Sequence, residues 1–183
     1  MARGRFVALL RGINVGGRNK LPMAELRALA AGLGWRDVGT YIQSGNVAFT
    51  ASGTETALER RLEAGIAERF DLTVPVIVRS AERLRRYPER NPFADAAAAE
   101  PNHVLLGLSK AKPARGALQL LEQRAVPPER VAIVGDGLWI HYASGVARSK
   151  LTPALLDRAV GSTVTARNVR TLRKLVELVR APA

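Results

Sequence analysis

The chain has 183 residues, 47% of them hydrophobic and 24% charged, with no cysteine and a formal net charge of +12. That length holds one medium domain or two small ones, buries a core without disulfides, and carries the composition of a globular protein rather than a disordered one. The lack of cysteine excludes disulfides, thiolate catalysis, iron–sulfur clusters and cysteine-ligated zinc. No run approaches the roughly 18 apolar residues of a membrane span, and the N-terminus enters a short apolar stretch that is too brief for a leader. The expected compartment is the cytoplasm, and no membrane partner is expected.

In chain order, Phe6–Leu10 is a continuous apolar run and reads as a buried strand. The loop Arg11–Leu21 leads to Pro22 at a helix start, followed by Leu26, Leu29, Ala30 and Leu33 as an apolar stripe and Gly34 as the stop. Val38–Ile42 and Val47–Phe49 read as strands joined through Ser44-Gly45-Asn46. Leu58, Leu62, Ile66 and Phe70 mark one side of a second helix, and Thr73–Val78 is a strand whose Pro75 implies an edge or a strand start. Ser80 caps a short helix ending near Tyr87-Pro88, and the alanine run Ala96–Ala99 reads as linker.

The order then recurs. Val104–Leu108 is a strand, Pro113–Gln123 a helix, and Val131–Val134 with Leu138–Tyr142 a strand pair turned by Gly135-Asp136-Gly137. A helix over Ser149–Val160, a strand over Thr163–Ala166 and a last helix over Asn168–Arg180 complete the second half. The two halves share element order and no residue-level identity. The expected fold is therefore α+β: a tandem duplication of a ferredoxin-like βαββαβ unit, with two antiparallel or mixed sheets and their helices. The units are placed at 1–95 and 102–183, with 96–101 as linker, in one compact body. Because Phe6–Leu10 and Val104–Leu106 are apolar at consecutive positions, both faces of the sheets are expected to be covered. An RNA-recognition sheet, with stacking aromatics on an open face, does not fit a chain that is 5% aromatic.

Positive charge is unevenly spread. Residues 1–101 carry 15 basic and 11 acidic side chains, a net +4, and residues 102–183 carry 13 and 5, a net +8. Such a surface attracts nucleic acids or nucleotides at long range; only five of the basic residues are lysine, and this arginine and alanine bias is equally what a GC-rich genome imposes on ordinary surfaces.

Four segments are chemically suggestive. Arg11-Gly12-Ile13-Asn14-Val15-Gly16-Gly17-Arg18-Asn19-Lys20 lies between a buried strand and a helix. Its glycines let the backbone approach a ligand, and Arg11, Arg18 and Lys20 favour an anion there. The spacing matches neither the Walker A pattern nor the dinucleotide fingerprint, so it names no cofactor. Tyr41-Ile42-Gln43-Ser44-Gly45-Asn46 is turn chemistry in its own right, but in an element order of this kind the end of the second strand can lie near the end of the first, which would make it a neighbour of the glycine-rich loop. Arg148 and Lys150 flank Ser149, read as a helix N-cap. Arg167, Arg170, Arg173 and Lys174 gather near a helix start, where positive charge opposes the helix dipole unless something anionic compensates. His103 and His141 are not spaced as metal ligands and read as structural. No metal set, catalytic triad or carboxylate pair emerges, and whether the protein is an enzyme stays open.

At these segments the chain resembles the bacterial family called domain of unknown function 1697. The resemblance is carried by Ala8–Gly17, Pro22–Leu26, Tyr41–Val47, Asn91-Pro92-Phe93, Arg148–Leu151 and Thr165–Asn168. One departure is Val169, where the family usually has tryptophan. The resemblance implies a duplicated ferredoxin-like fold and supplies no activity, substrate or catalytic residue.

Three functional readings follow. The first is a small phosphorylated or carboxylated ligand in a cleft between the two units. Arg11, Gly12, Asn14, Gly16, Gly17 and Lys20 would hold it, Ser44 and Asn46 would orient it, and Arg148, Ser149, Lys150, Arg167 and Asn168 would complete the cleft. The second is non-specific nucleic-acid binding by the C-terminal basic helix. The third is a purely structural or oligomer-forming role for the same motifs.

Overall fold

The computed structural model describes residues 3–17 and 19–180; Arg18, one of the expected loop charges, lies outside the described residues. The first half forms β1 (Gly4–Leu10), α1 (Met23–Gly32), β2 (Arg36–Tyr41), β3 (Asn46–Ala51), α2 (Glu55–Phe70) and β4 (Val76–Ser80). Two helices follow, α3 (Ala81–Glu89) and α4 (Ala94–Ala99). The second half forms β5 (Val104–Ser109), α5 (Ala117–Glu122), β6 (Arg130–Val134), β7 (Gly137–His141), α6 (Pro153–Val160) and β8 (Val164–Asn168), and the chain continues into α7 (Val169–Arg180).

Each half makes a four-stranded sheet, in the order β2-β3-β1-β4 and β6-β7-β5-β8, with every neighbouring pair antiparallel. The two orders are the same once the strands of each half are numbered from its own start. The fold is α+β, a ferredoxin-like βαββαβ unit present twice in tandem. Chain contacts define two compact units, Met1–Arg85 with Lys174–Ala183, and Arg86–Arg173.

In the first unit, Phe6, Ala8 and Leu10 of β1, Val47 and Phe49 of β3, and Val76 and Val78 of β4 pack against Leu26 and Leu29 of α1 and Leu58, Leu62 and Ile66 of α2. Trp35 stacks on Phe49 with ring centroids 3.8 Å apart, and Phe6 stacks on Phe49 at 5.8 Å. The alternate residues Val7, Leu9, Ala48 and Ile77 are buried as well, so both faces of this sheet are covered, as the unbroken apolar run of β1 requires. In the second unit Leu138, Ile140 and Val164 pack against Leu121 of α5 and Leu155, Leu156 and Ala159 of α6. Among the described residues no helix is long and apolar enough to cross a membrane.

Three local expectations are corrected. Ala96–Ala99, read as linker, are helical in α4, with Ala97 buried; alanine has the highest intrinsic helix propensity, and a four-alanine run holds a short helix once one side is packed. The helix expected from Ser149 begins instead at Pro153, where Thr152 is the N-cap and accepts the N–H of Leu155. A helix begun at Ser149 would put Pro153 where an N–H is needed, whereas at the first helical position its absence costs nothing. The helix expected over Pro113–Gln123 is confined to Ala117–Glu122, entered through Gly116 at φ 83°.

Candidate functional site

The strand ends of the first unit bring the glycine-rich loop and the β2–β3 turn together. β1 ends at Leu10 and β3 starts at Asn46, and Leu10 donates its N–H to the carbonyl of Gly45 at 2.8 Å. Arg11 donates its N–H to the carbonyl of Pro75 at 3.0 Å, so the entry to β4 lies at the same pole. Gly45 is required twice over. It sits at φ 74°, and a Cβ there would lie 2.6 Å from Ile13 Cδ1 and 2.7 Å from Leu10 Cβ. The turn is pressed directly onto the start of the loop.

Asn14 latches the two segments. Its amide nitrogen donates to the carbonyls of Gln43 and of Leu21, both at 2.9 Å, and its amide oxygen accepts the N–H of Leu21 at 2.9 Å. A second clasp closes the loop on itself: Asn14 N–H donates to Asn19 O at 3.1 Å and the Asn19 amide donates to Gly12 O at 3.0 Å. Both asparagines adopt the left-handed conformation, with φ 55° and 47°, which asparagine tolerates better than most residues. Ile13 and Leu21 are buried under the loop, while Gly12, Val15, Gly16, Gly17, Asn19 and Lys20 are exposed and Arg11 is partly so. The tip is held from below and open above. α1 begins three residues after Lys20, and its N-cap residue, Pro22, makes no side-chain capping bond.

Ser44 and Asn46 meet at this pole but differ in access. Asn46 is fully buried, and its amide donates to Tyr41 O at 2.9 Å and to Ser44 Oγ at 3.0 Å. It stitches the turn and is withdrawn from contact with any ligand; Ser44 is partly exposed.

The other expected residues belong to the second unit. Val146–Arg148 form one turn of 3-10 helix, with Arg148 exposed at its end and Lys150 exposed just after it. Ser149 is not a helix N-cap: its hydroxyl accepts the N–H of Leu151 in a local turn at 3.0 Å. Arg167 lies in β8 opposite Leu106, and not in the last helix. Its guanidinium donates to Ala166 O at 2.9 Å, and burial pulls its pKa down to about 10, which still leaves it charged at neutral pH. Asn168 caps α7 by accepting the N–H of Thr171 at 2.8 Å and donates to Asn102 Oδ1 at 3.3 Å. Val169, the family's tryptophan position, is 2% exposed and is a core residue.

Two groupings had no clear sequence signal. Val15 and Ile42, 66% and 50% exposed, are chain neighbours of the hydrogen-bonded pair Asn14 and Gln43. In the second unit, Phe93 of the Asn91-Pro92-Phe93 motif lies under the Arg130 guanidinium, 4.8 Å from its ring centroid, and Arg130 Nε donates to His141 Nδ1 at 3.3 Å. Burial, and then the charge of Arg130, hold the His141 pKa below its ordinary value. Among the described residues no group of three or more histidines and carboxylates is arranged to hold a metal ion.

The family model described as Protein of unknown function (DUF1697) matches residues 4–139, which include the glycine-rich loop, the turn and Asn91-Pro92-Phe93. The segments around Arg148 and Arg167 lie beyond the matched range. Among solved structures, the conserved bacterial protein SP0830 from Streptococcus pneumoniae is similar, with a TM-score of 0.78 and 25% identity over 97% of this chain and 99% of that one. No curated protein matches the chain. With three quarters of its length matched by one family model and the same fold in a bacterial relative, this chain belongs to the protein family of unknown function DUF1697.

Proposed function

We propose that the pole of the first unit formed by the Arg11–Lys20 loop and the Ile42–Gly45 turn is a binding site for a small anionic ligand, phosphorylated or carboxylated. Arg11 and Lys20 supply the charge, the Gly16-Gly17 backbone supplies close approach, and Ser44 supplies a hydroxyl. The observation that carries this reading is the Asn14 latch, three hydrogen bonds that tie Asn14 to Leu21 at the far end of the loop and to Gln43 in the turn, with Val15, Gly16 and Gly17 exposed beyond them. A preorganised loop loses less freedom on binding than a flexible one. α1 starts directly after the loop with no side-chain cap at Pro22, and its dipole favours an anion there beside the first-turn carboxylate of Glu25, which Arg69 engages.

Nucleic-acid binding through α7 has less support. Arg173 donates to Ala97 O at 3.5 Å and Lys174 pairs with Glu177 at 3.0 Å, so two of its basic groups have local partners. None of the nine aromatic side chains is exposed, which removes the stacking platforms that single strands use. The test is a thermal-shift and calorimetric screen with inorganic phosphate, simple carboxylates and a labelled oligonucleotide. Saturable stabilisation by phosphate or carboxylate that Lys20→Gln weakens supports the site. Tight oligonucleotide binding that fades steeply with salt and ignores the small anions would replace it.

A further inference from the structure

Four large hydrophobic side chains are prominent for their exposure, and two of them, Val15 and Ile42, are the chain neighbours of Asn14 and Gln43, whose hydrogen bond joins the loop to the turn. Exposed single aliphatics are ordinary. Ile42 is not, because it also holds φ 51°, a conformation in which a β-branched side chain crowds its own backbone. Asparagine or glycine would fill that turn position with less strain. An isoleucine that is both strained and half-exposed leaves half of its surface unused by its own unit, and strain of this kind gathers at ligand clamps and switch regions. On the other side of the Asn14–Gln43 bond, Val15 is the loop residue directly before Gly16-Gly17.

We infer that the ligand of this site is an amphiphilic anion, with an apolar body, aromatic or branched, seated on Val15 and Ile42 and its charged end directed to Arg11, Lys20 and the Gly16-Gly17 backbone. This rests on the anionic-ligand reading and narrows its chemical class. The juxtaposition carries it: two exposed aliphatic side chains and two basic ones on one loop–turn pair, fixed to each other by the Asn14 latch. An inorganic or wholly polar anion would use the cations and leave the strained Ile42 without a role. An apolar body over the pair removes its surface from water, a gain of about tenfold or more in affinity for a ring-sized group.

The test is isothermal titration calorimetry of the full chain with inorganic phosphate and phenyl phosphate, on the wild type, Ile42→Asn, Val15→Ser and Lys20→Gln. Phenyl phosphate is expected to bind about tenfold tighter than phosphate to the wild type. Ile42→Asn and Val15→Ser should each cut that ratio several-fold while leaving phosphate affinity within about twofold, and Lys20→Gln should weaken both probes alike. Equal affinities for the two probes in the wild type, or a ratio unchanged by Ile42→Asn, would overturn the inference while leaving an anion site in place. If neither probe binds, both the inference and the anion reading fall. All the substituted positions are exposed, and circular dichroism of each variant confirms that it is folded.

Discussion

Glu59 of α2 accepts the backbone N–H of Val78 of β4 at 2.9 Å, and both residues are buried. The bond is one rung of three, with Glu63 accepting from Val76 and Glu55 from Ser80, each at 2.8 Å. Four residues of helix advance about 6 Å and two residues of strand about 6.6–6.8 Å. Carboxylates spaced by four therefore track N–H groups spaced by two. β4 is an edge strand, and these are the N–H groups its sheet partner β1 does not use. The ladder closes an edge that would otherwise template pairing with another chain.

Glu59 also lies 3.8 Å from the buried guanidinium of Arg79. Glu59→Ala is expected to cost about 3 kcal/mol, because it removes the acceptor of the Val78 N–H and leaves the buried Arg79 with Glu55, 3.9 Å away, and the Val78 carbonyl. Glu59→Gln, which keeps an acceptor for Val78, should cost roughly half as much. Urea unfolding measures both, and an alanine variant within about 0.5 kcal/mol of wild type would show that the ladder contributes little.

Gly45 and Gly16 separate packing from backbone preference. Gly45→Ala meets Ile13 and Leu10 as well as an unfavourable φ, and should destabilise by about 2–4 kcal/mol. At Gly16, φ is 57° but nothing lies within 4 Å of an added Cβ, so the alanine variant should lose only about 1 kcal/mol. Chemical denaturation of the two variants side by side checks the difference.

Ile42→Asn is expected to raise stability by about 1 kcal/mol, since it relieves a left-handed β-branched residue and removes exposed apolar surface. A loss of stability in the urea midpoint would mean that the isoleucine packs within the fold, and would also remove the argument for its role at the ligand.

His141 makes the fold pH-sensitive in a defined direction. Burial and Arg130 depress its pKa in the folded state, while Glu100 and Asp95 oppose them and His103 adds to the depression. Below the unfolded value near 6.5 the unfolded chain binds the proton more readily, so this contribution to stability is present above about pH 6.5 and is lost as pH falls toward the folded pKa. The slope from one group is at most about 1.4 kcal/mol per pH unit. His141→Gln retains an acceptor for Arg130 Nε and should flatten the dependence between pH 7.5 and 5, measured by urea unfolding at each pH. An unchanged profile would assign the pH dependence to other groups.

Much of the architecture was legible because it is written in short-range patterns. The apolar run Phe6–Leu10, the helical spacing of Leu58, Leu62 and Ile66, and the turn residues Ser44-Gly45-Asn46 each report a local choice that the fold retains. So does the recurrence of element order, from which the duplicated ferredoxin-like unit follows. Pro153 and the Ala96–Ala99 run were equally local signals: a proline suits the first position of a helix, and an alanine run is helix-forming before it is linker.

The tertiary structure decided what depends on residues far apart in sequence. Burial of Asn46 and exposure of Ile42, four residues apart in one turn, follow from which side of the turn meets the loop. Pairing of Asn14 with Gln43 joins positions 29 residues apart, and the Arg130–Phe93–His141 grouping draws on three segments with no shared periodicity. Composition and spacing fix the preferences of a segment, but a hydrogen bond between two loops exists only once the strands beneath them are paired in register. For that reason the sequence alone indicates that a glycine-rich loop lies between β1 and α1, while only the folded chain determines which of its side chains face solvent and what holds them there.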